Sequence, residues 1–192
     1  WFSGHQQHQI QNLDVMPTTE KHINYLEGRD LKVYSRYNKR LECILGSKKS
    51  NLSLTKAEEV RGEKELRQLG IPPKEPFICF HNRDSTYLDF MENNINWQYH
   101  NYRDSSIHNY LDAAEEMTER GCHAIRLGAK VNEIIDSNNP KIIDYASNGM
   151  RTDFLDIYLS AKCRFILCSD TGMSFPAEVF KNPLVYVNWT MP

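Results

Sequence analysis

The sequence predicts an α/β fold, a parallel sheet with helices on both faces. Three observations point there. From Phe77 onward, short apolar runs of strand length alternate with helix-patterned segments, an order that implies βαβ units. The runs are rich in Val, Ile and Phe without clear polar–apolar alternation, as in strands buried on both sides. The run Arg164-Phe165-Ile166-Leu167-Cys168 gives way at Ser169-Asp170-Thr171-Gly172 to a helix signal, the strand-to-helix turn beside which such sheets hold ligands. The expected class is therefore Rossmann-like.

Each element has its own warrant. Residues 1–52 are polar and weakly patterned. They read as a linker or the remnant of a preceding domain, with the α/β domain occupying 53–192. Leu31-Lys32-Val33-Tyr34 resembles a short strand. His5, Gln6, Gln7, His8, Gln9 and Gln11 cluster at the start, but with no acidic partner nearby they do not have metal-ligand spacing. Residues 53–69 form a helix: Thr55 and Glu58 have capping-box spacing, and Gly70, Pro72 and Pro73 stop it. Residues 76–81 are a buried-type strand. Residues 82–104 read as one long polar and aromatic loop with Tyr87, Trp97, Tyr99 and Tyr102, and loops of that length are usually functional or disordered.

Ser105 or Ser106 caps the next helix, whose apolar face is Ile107, Tyr110, Leu111, Ala114, Met117 and Thr118, with Gly121 as its end. Strands follow at 123–128 and 141–144. A helix from Thr152 or Asp153 to Ala161, a strand at 163–169, a helix at 173–180 with Pro176 near its start, and a strand at 184–188 complete the series.

Composition bounds the function. The 192 residues carry a net charge of −2 with acids and bases mixed, which argues against a nucleic-acid or polybasic membrane surface. No apolar run approaches the roughly 20 residues of a transmembrane helix, and no signal pattern is visible. Trp1 in place of Met, and a strand-like run ending at Trp189, suggest that both ends are cut from a longer protein and that the domain is incomplete at its C-terminus. The five cysteines are odd in number and include no C-x-x-C pair, so neither a zinc ribbon nor a disulfide framework is indicated. Cys79 and Cys168 read as small buried hydrophobes, and a reducing, cytoplasmic setting follows.

Ligands of such sheets bind beyond the carboxyl ends of the strands. Those ends offer His81, Asn82, Arg83 and Asp84, then Arg126 and Gly128, then Asp144 and Tyr145, then Ser169, Asp170, Thr171 and Gly172. Two arginines, Arg83 and Arg126, with the N–H groups of a helix start near Thr171 and Gly172, suit a diphosphate. Gly172 is expected to allow a sharp turn and a close approach. Each residue also has a structural reading. Arg83 with Asp84, or Arg103 with Asp104, would brace a loop; Arg126 would pair with Asp144 or Asp153; Arg151 would pair with its neighbouring aspartates. His81 leads for acid–base work, with Asp84 or Asp104 as alternatives. No nucleophile elbow, Walker loop, G-x-G-x-x-G or D-x-D motif is present, so covalent acyl chemistry, triphosphate hydrolysis and nicotinamide chemistry are disfavoured. A metal-free diphosphate site is expected.

Several longer stretches are more specific. They are Phe80-His81-Asn82-Arg83-Asp84-Ser85 with Tyr87-Leu88-Asp89; His100-Asn101-Tyr102-Arg103-Asp104-Ser105; Ile125-Arg126-Leu127-Gly128; Ser137-Asn138-Asn139-Pro140-Lys141-Ile142-Ile143-Asp144-Tyr145; Gly149-Met150-Arg151-Thr152-Asp153-Phe154-Leu155-Asp156; and Val185-Tyr186-Val187-Asn188. In these the chain resembles a family of bacterial glycosyltransferases encoded with surface-polysaccharide genes. The resemblance implies the C-terminal, donor-binding half of a two-domain GT-B-like enzyme, with Ser169-Asp170-Thr171-Gly172 similar to the donor-phosphate turn of heptosyltransferase-like and epimerase-like relatives. It adds Arg103, Asn139, Lys141, Arg151 and Asp153 to the substrate-binding candidates.

The implied activity is metal-independent transfer of a sugar from a nucleoside-diphosphate donor to a surface glycan, with no other cofactor. His81 or Asp84 would take the acceptor proton, and Arg126→Ala would weaken donor binding with the fold intact. The implied setting is the cytoplasm, at the inner face of the membrane, through peripheral association only. A nucleotide-sugar 2-epimerase-like isomerase and a non-catalytic nucleotide- or glycan-binding module are the alternatives.

Overall fold

The computed structural model describes residues 50, 52–91 and 94–188. The chain divides into two units, residues 1–48 and 49–192, and the sheet lies in the second. The Gln/His cluster, the run from Leu31 to Tyr34, Cys43 and Trp189 lie outside the described residues.

The first helix, α1 (Lys56–Gln68), has the expected capping box. The Thr55 N–H donates to Glu58 Oε2 at 2.6 Å and the Glu58 N–H to Thr55 Oγ1 at 3.3 Å. Gly70 closes it at φ +88°, a left-handed conformation that suits glycine, while the Ile71 N–H returns to Leu66 O. Then come β1 (Phe77–His81), α2 (Thr86–Met91), 3₁₀ turns at Gln98–Arg103 and Ile107–Tyr110, α3 (Leu111–Glu119), β2 (His123–Arg126) and β3 (Ile142–Ile143). They are followed by α4 (Asp153–Lys162), β4 (Ile166–Cys168), a 3₁₀ turn at Gly172–Ser174, α5 (Phe175–Phe180) and β5 (Leu184–Tyr186).

The five strands form one parallel sheet in the order β3-β2-β1-β4-β5, a Rossmann-like α/β arrangement. Successive side chains of a strand point to opposite faces. In β1, Phe77 and Cys79 join the layer beneath α1, α4 and α5, with Leu66, Leu155, Leu159 and Ala177. Ile78 and Phe80 join the layer beneath α3, with Ile107, Tyr110 and Ala114. Both layers are apolar, so β1 shows no polar–apolar alternation in sequence.

Three expectations are corrected. The supposed loop at 82–104 contains α2 and a 3₁₀ turn. The helix capped by Ser106 opens as a 3₁₀ turn and becomes α-helical only at Leu111. The helix expected from Met173 begins as a 3₁₀ turn, leaving α5 six residues long. Among the described residues no helix is long and apolar enough to cross a membrane.

Candidate functional site

The chain adds β2 and β3 on one side of β1, then β4 and β5 on the other. The direction reverses between β1 and β4, and the crevice beyond their carboxyl ends is where open α/β sheets take ligands. Two polar segments meet there. The Arg83 N–H donates to Ser169 Oγ at 2.8 Å, and the Ser169 N–H reaches His81 O at 3.3 Å. Ser169 is buried; its hydroxyl is a link between the two strand ends.

His81 is half-buried at the end of β1. Its Nδ1 lies 2.9 Å from Leu127 O. A carbonyl only accepts, so Nδ1 carries the proton and Nε2 keeps the lone pair. Burial pushes the imidazole pKa down to about 4; the Leu127 carbonyl and Asp84 oppose the shift and the Arg126 charge adds to it. The ring is neutral at pH 7 and presents Nε2 as its basic atom. Gly128 allows the close packing beside it: a Cβ there would stand 2.7 Å from Val131 Cγ1 and 3.1 Å from Ala146 Cβ.

The arginines separate by burial. Arg126 is fully buried, its Nη1 donating to Glu133 O at 2.5 Å and pairing with Asp144 Oδ2 at 3.3 Å. Arg83 is buried too; its Nη1 donates to His100 O at 3.0 Å and pairs with the Asp104 carboxylate. Burial pushes the Asp104 pKa up, against the pull of Arg83. Both guanidinium groups, expected to grip a diphosphate, are buried on internal partners through Nη1, while Arg126 Nε and Nη2 are buried without a hydrogen-bond partner. Arg103 is the accessible one. Its Nη2 donates to Asp170 O at 2.7 Å and to Asp170 Oδ2 at 2.8 Å, at the lip of the turn after β4.

The remaining candidates sort clearly. Asp84 accepts from the Thr86 N–H at 3.0 Å and, with its other oxygen, from the Asn132 N–H at 3.2 Å. It holds α2 and the loop after β2, a positioning role rather than that of a free base. Asn82 donates to Ser105 O at 2.6 Å. Thr171 caps the 3₁₀ turn by accepting from the Met173 N–H. Gly172 follows bends at Asp170 and Thr171 and opens the 3₁₀ turn without a left-handed φ, and nothing lies within 4 Å of where a Cβ would stand; open space is what this position supplies. With α5 only six residues long, its helix macrodipole is small.

Two candidates, Asn139 and Lys141, are not brought to the crevice. Asn139 and Lys141 precede β3, at the amino edge of the sheet. The Asn139 amide binds Glu115 and Thr118, and its carbonyl oxygen takes the Lys141 N–H. Arg151 pairs with Asp153 at 2.9 Å and Asp156 at 2.8 Å, bracing the first turn of α4. One residue escaped the sequence reading. Glu133 accepts from Ser106 Oγ and the Ile107 N–H while its carbonyl takes Arg126; contacts across 26 residues leave no local pattern to find it by.

Cys79, Cys122, Cys163 and Cys168 are free and buried. Burial pushes the Cys168 thiol up to about 12 and Cys79 well above its ordinary value, so these thiols are not activated nucleophiles. Among the described residues no group of three or more His, Cys, Asp or Glu is gathered as a metal ion would need.

No protein-family model, curated protein or solved structure matches the chain. What its own geometry defines is a Rossmann-like α/β unit with an imidazole, an accessible guanidinium and an open turn at the reversal point of its sheet.

Proposed function

We propose that this chain is the donor-binding part of a metal-independent glycosyltransferase, moving a sugar from a nucleoside diphosphate to a surface-glycan acceptor. The observation that carries the reading is the linkage across the sheet's reversal point. The Arg83–Ser169 hydrogen bond ties the segments after β1 and β4 together, and the Arg103–Asp170 pair ties the 3₁₀ turn Gln98–Arg103 to the segment after β4. The motif resemblance supports it from a second side.

In this reading Arg103 and backbone N–H groups at the open turn hold the diphosphate and stabilise the charge that grows on it as the glycosidic bond breaks. His81 Nε2 takes the proton of the acceptor hydroxyl. An imidazole with pKa about 4 is a weak base, but phosphate charges bound beside it raise its proton affinity. Donor binding thus prepares the base. On this reading the protein acts in the cytoplasm, at the inner face of the membrane.

The test is calorimetric titration of the intact protein with UDP, GDP and ADP, with CMP as control. At least one diphosphate should bind, and Arg103→Ala should weaken it about 10- to 150-fold, from the roughly 1.5–3 kcal/mol of a hydrogen bond to a charged group. No binding, or equal binding by the variant, overturns the reading. Conversion of a labelled donor without acceptor would identify an isomerase instead.

A further inference from the structure

We infer that the aromatic ridge on the 3₁₀ turn Gln98–Arg103 is the subsite for the nucleobase of the donor; this rests on the donor reading above. Three rings stand together at this turn. Trp97 and Tyr99 have centroids 6.1 Å apart with planes 30° from parallel, Trp97 and His100 are 6.0 Å and 21°, and Tyr99 and His100 are 4.1 Å and 38°. Tyr99 is 63% exposed and Tyr102 53%. In a 3₁₀ helix residues i and i+3 eclipse, so these two phenols share one outward face. Neither belongs to the two apolar layers of the core, so folding does not account for them.

What separates this ridge from scattered surface aromatics is its attachment. The turn is tied to the crevice at three points: Arg83 to the His100 carbonyl, Arg83 to Asp104, and Arg103 to Asp170. The rings are thereby held at a fixed distance from Arg103, the side chain assigned to the diphosphate. Tyr99 and Arg103 belong to the same turn, about 8 Å apart along its axis at a 3₁₀ rise of about 2 Å per residue. Flat exposed rings offer a base a stacking surface whatever its identity, because every base has a π face. A phenol adds a polar edge at little conformational cost.

The experiment titrates the intact chain with UDP, GDP and ADP and, as a base-free probe, with inorganic pyrophosphate. The nucleoside diphosphates should bind more tightly than pyrophosphate. Tyr99→Ala should lower their affinity about 5- to 150-fold, the range measured for one stacked base, and leave pyrophosphate affinity unchanged; Tyr99→Phe should bind like wild type. Tyr99 is exposed, so the variant keeps its fold, which a circular-dichroism melt checks. If Tyr99→Ala binds nucleoside diphosphates like wild type while Arg103→Ala does not, the subsite is wrong and the donor reading stands. If Tyr99→Ala loses pyrophosphate equally, the ring shapes the crevice and stacks no base, and the inference falls. If wild type binds neither class of ligand, both readings fall together.

Discussion

Replacing His81 with Gln tests whether the imidazole is held neutral on the rim. Its folded pKa is about 4 against an ordinary 6.5. In the unfolded chain the ring therefore takes a proton as pH falls through 6.5, and in the folded chain only near pH 4. Across that window the unfolded state binds more protons, so stability falls with falling pH. The contribution is complete above pH 6.5 and lost as pH passes through 4. A difference of two to three units at 1.36 kcal/mol each gives up to about 3 kcal/mol.

Other groups also move in this range. His100 is lowered, mainly by burial, and shifts stability the same way; Asp104 and Asp156 are raised by burial and shift it oppositely. The measurement is therefore the difference between wild type and His81→Gln in urea denaturation from pH 7.5 to pH 4. Gln cannot take a proton, so wild type should lose up to about 3 kcal/mol relative to the variant on acidification. Parallel stability curves would mean that His81 titrates alike in both states, and the argument for a neutral Nε2 base would fail.

Two further outcomes follow from the packing. A Cβ on Gly62 would stand 2.1 Å from Tyr158 Cδ2 and Cε2, on a buried ring stacked with Phe154. Overpacking of about 1–3 kcal/mol outweighs the gain of about 1 kcal/mol in helix preference, so Gly62→Ala should lower the thermal midpoint; an unchanged or higher midpoint would show that α1 and α4 yield freely. Arg126→Met strands Asp144 beside an apolar side chain and should cost about 3–5 kcal/mol in urea denaturation, with Arg126→Met/Asp144→Leu recovering much of it; a single variant as stable as wild type would remove Arg126 from the framework.

Much of the fold was legible because local chemistry fixes it. The Thr55–Glu58 box, the Thr152 cap and the glycines after α1 and α3 act within a few residues, and each appears where the sequence puts it. The pairing of Arg126 with Asp144 was one of the structural readings open in the sequence, since each residue sits at the end of a neighbouring strand. Strand order was not legible, because it depends on which apolar faces meet across the whole chain. Nor was the partner of Arg103. Sequence proximity suggests Asp104; the structure gives Asp104 to Arg83 and supplies Asp170, 67 residues away, to Arg103.

On the proposed reading, that exchange of partners bears on which arginine would meet a donor. Side-chain exposure rises from 0% in Arg126 through 9% in Arg83 to 24% in Arg103. A buried guanidinium must be paired where it lies, because losing its partner leaves an uncompensated charge in a poorly polarisable interior. A ligand that drew Arg126 away would leave Asp144, 11% exposed, without its counter-charge. Arg103 shares its charge with an exposed carboxylate that water can solvate once the pair opens, so on the proposed reading an incoming phosphate would displace Asp170 at small cost. The two buried arginines brace the rim, and the half-buried Arg103 is the one that the proposed reading assigns to binding. The residues that look most alike in sequence, Arg83-Asp84 and Arg103-Asp104, therefore do opposite work because burial, not spacing, decides which ion pair can be exchanged.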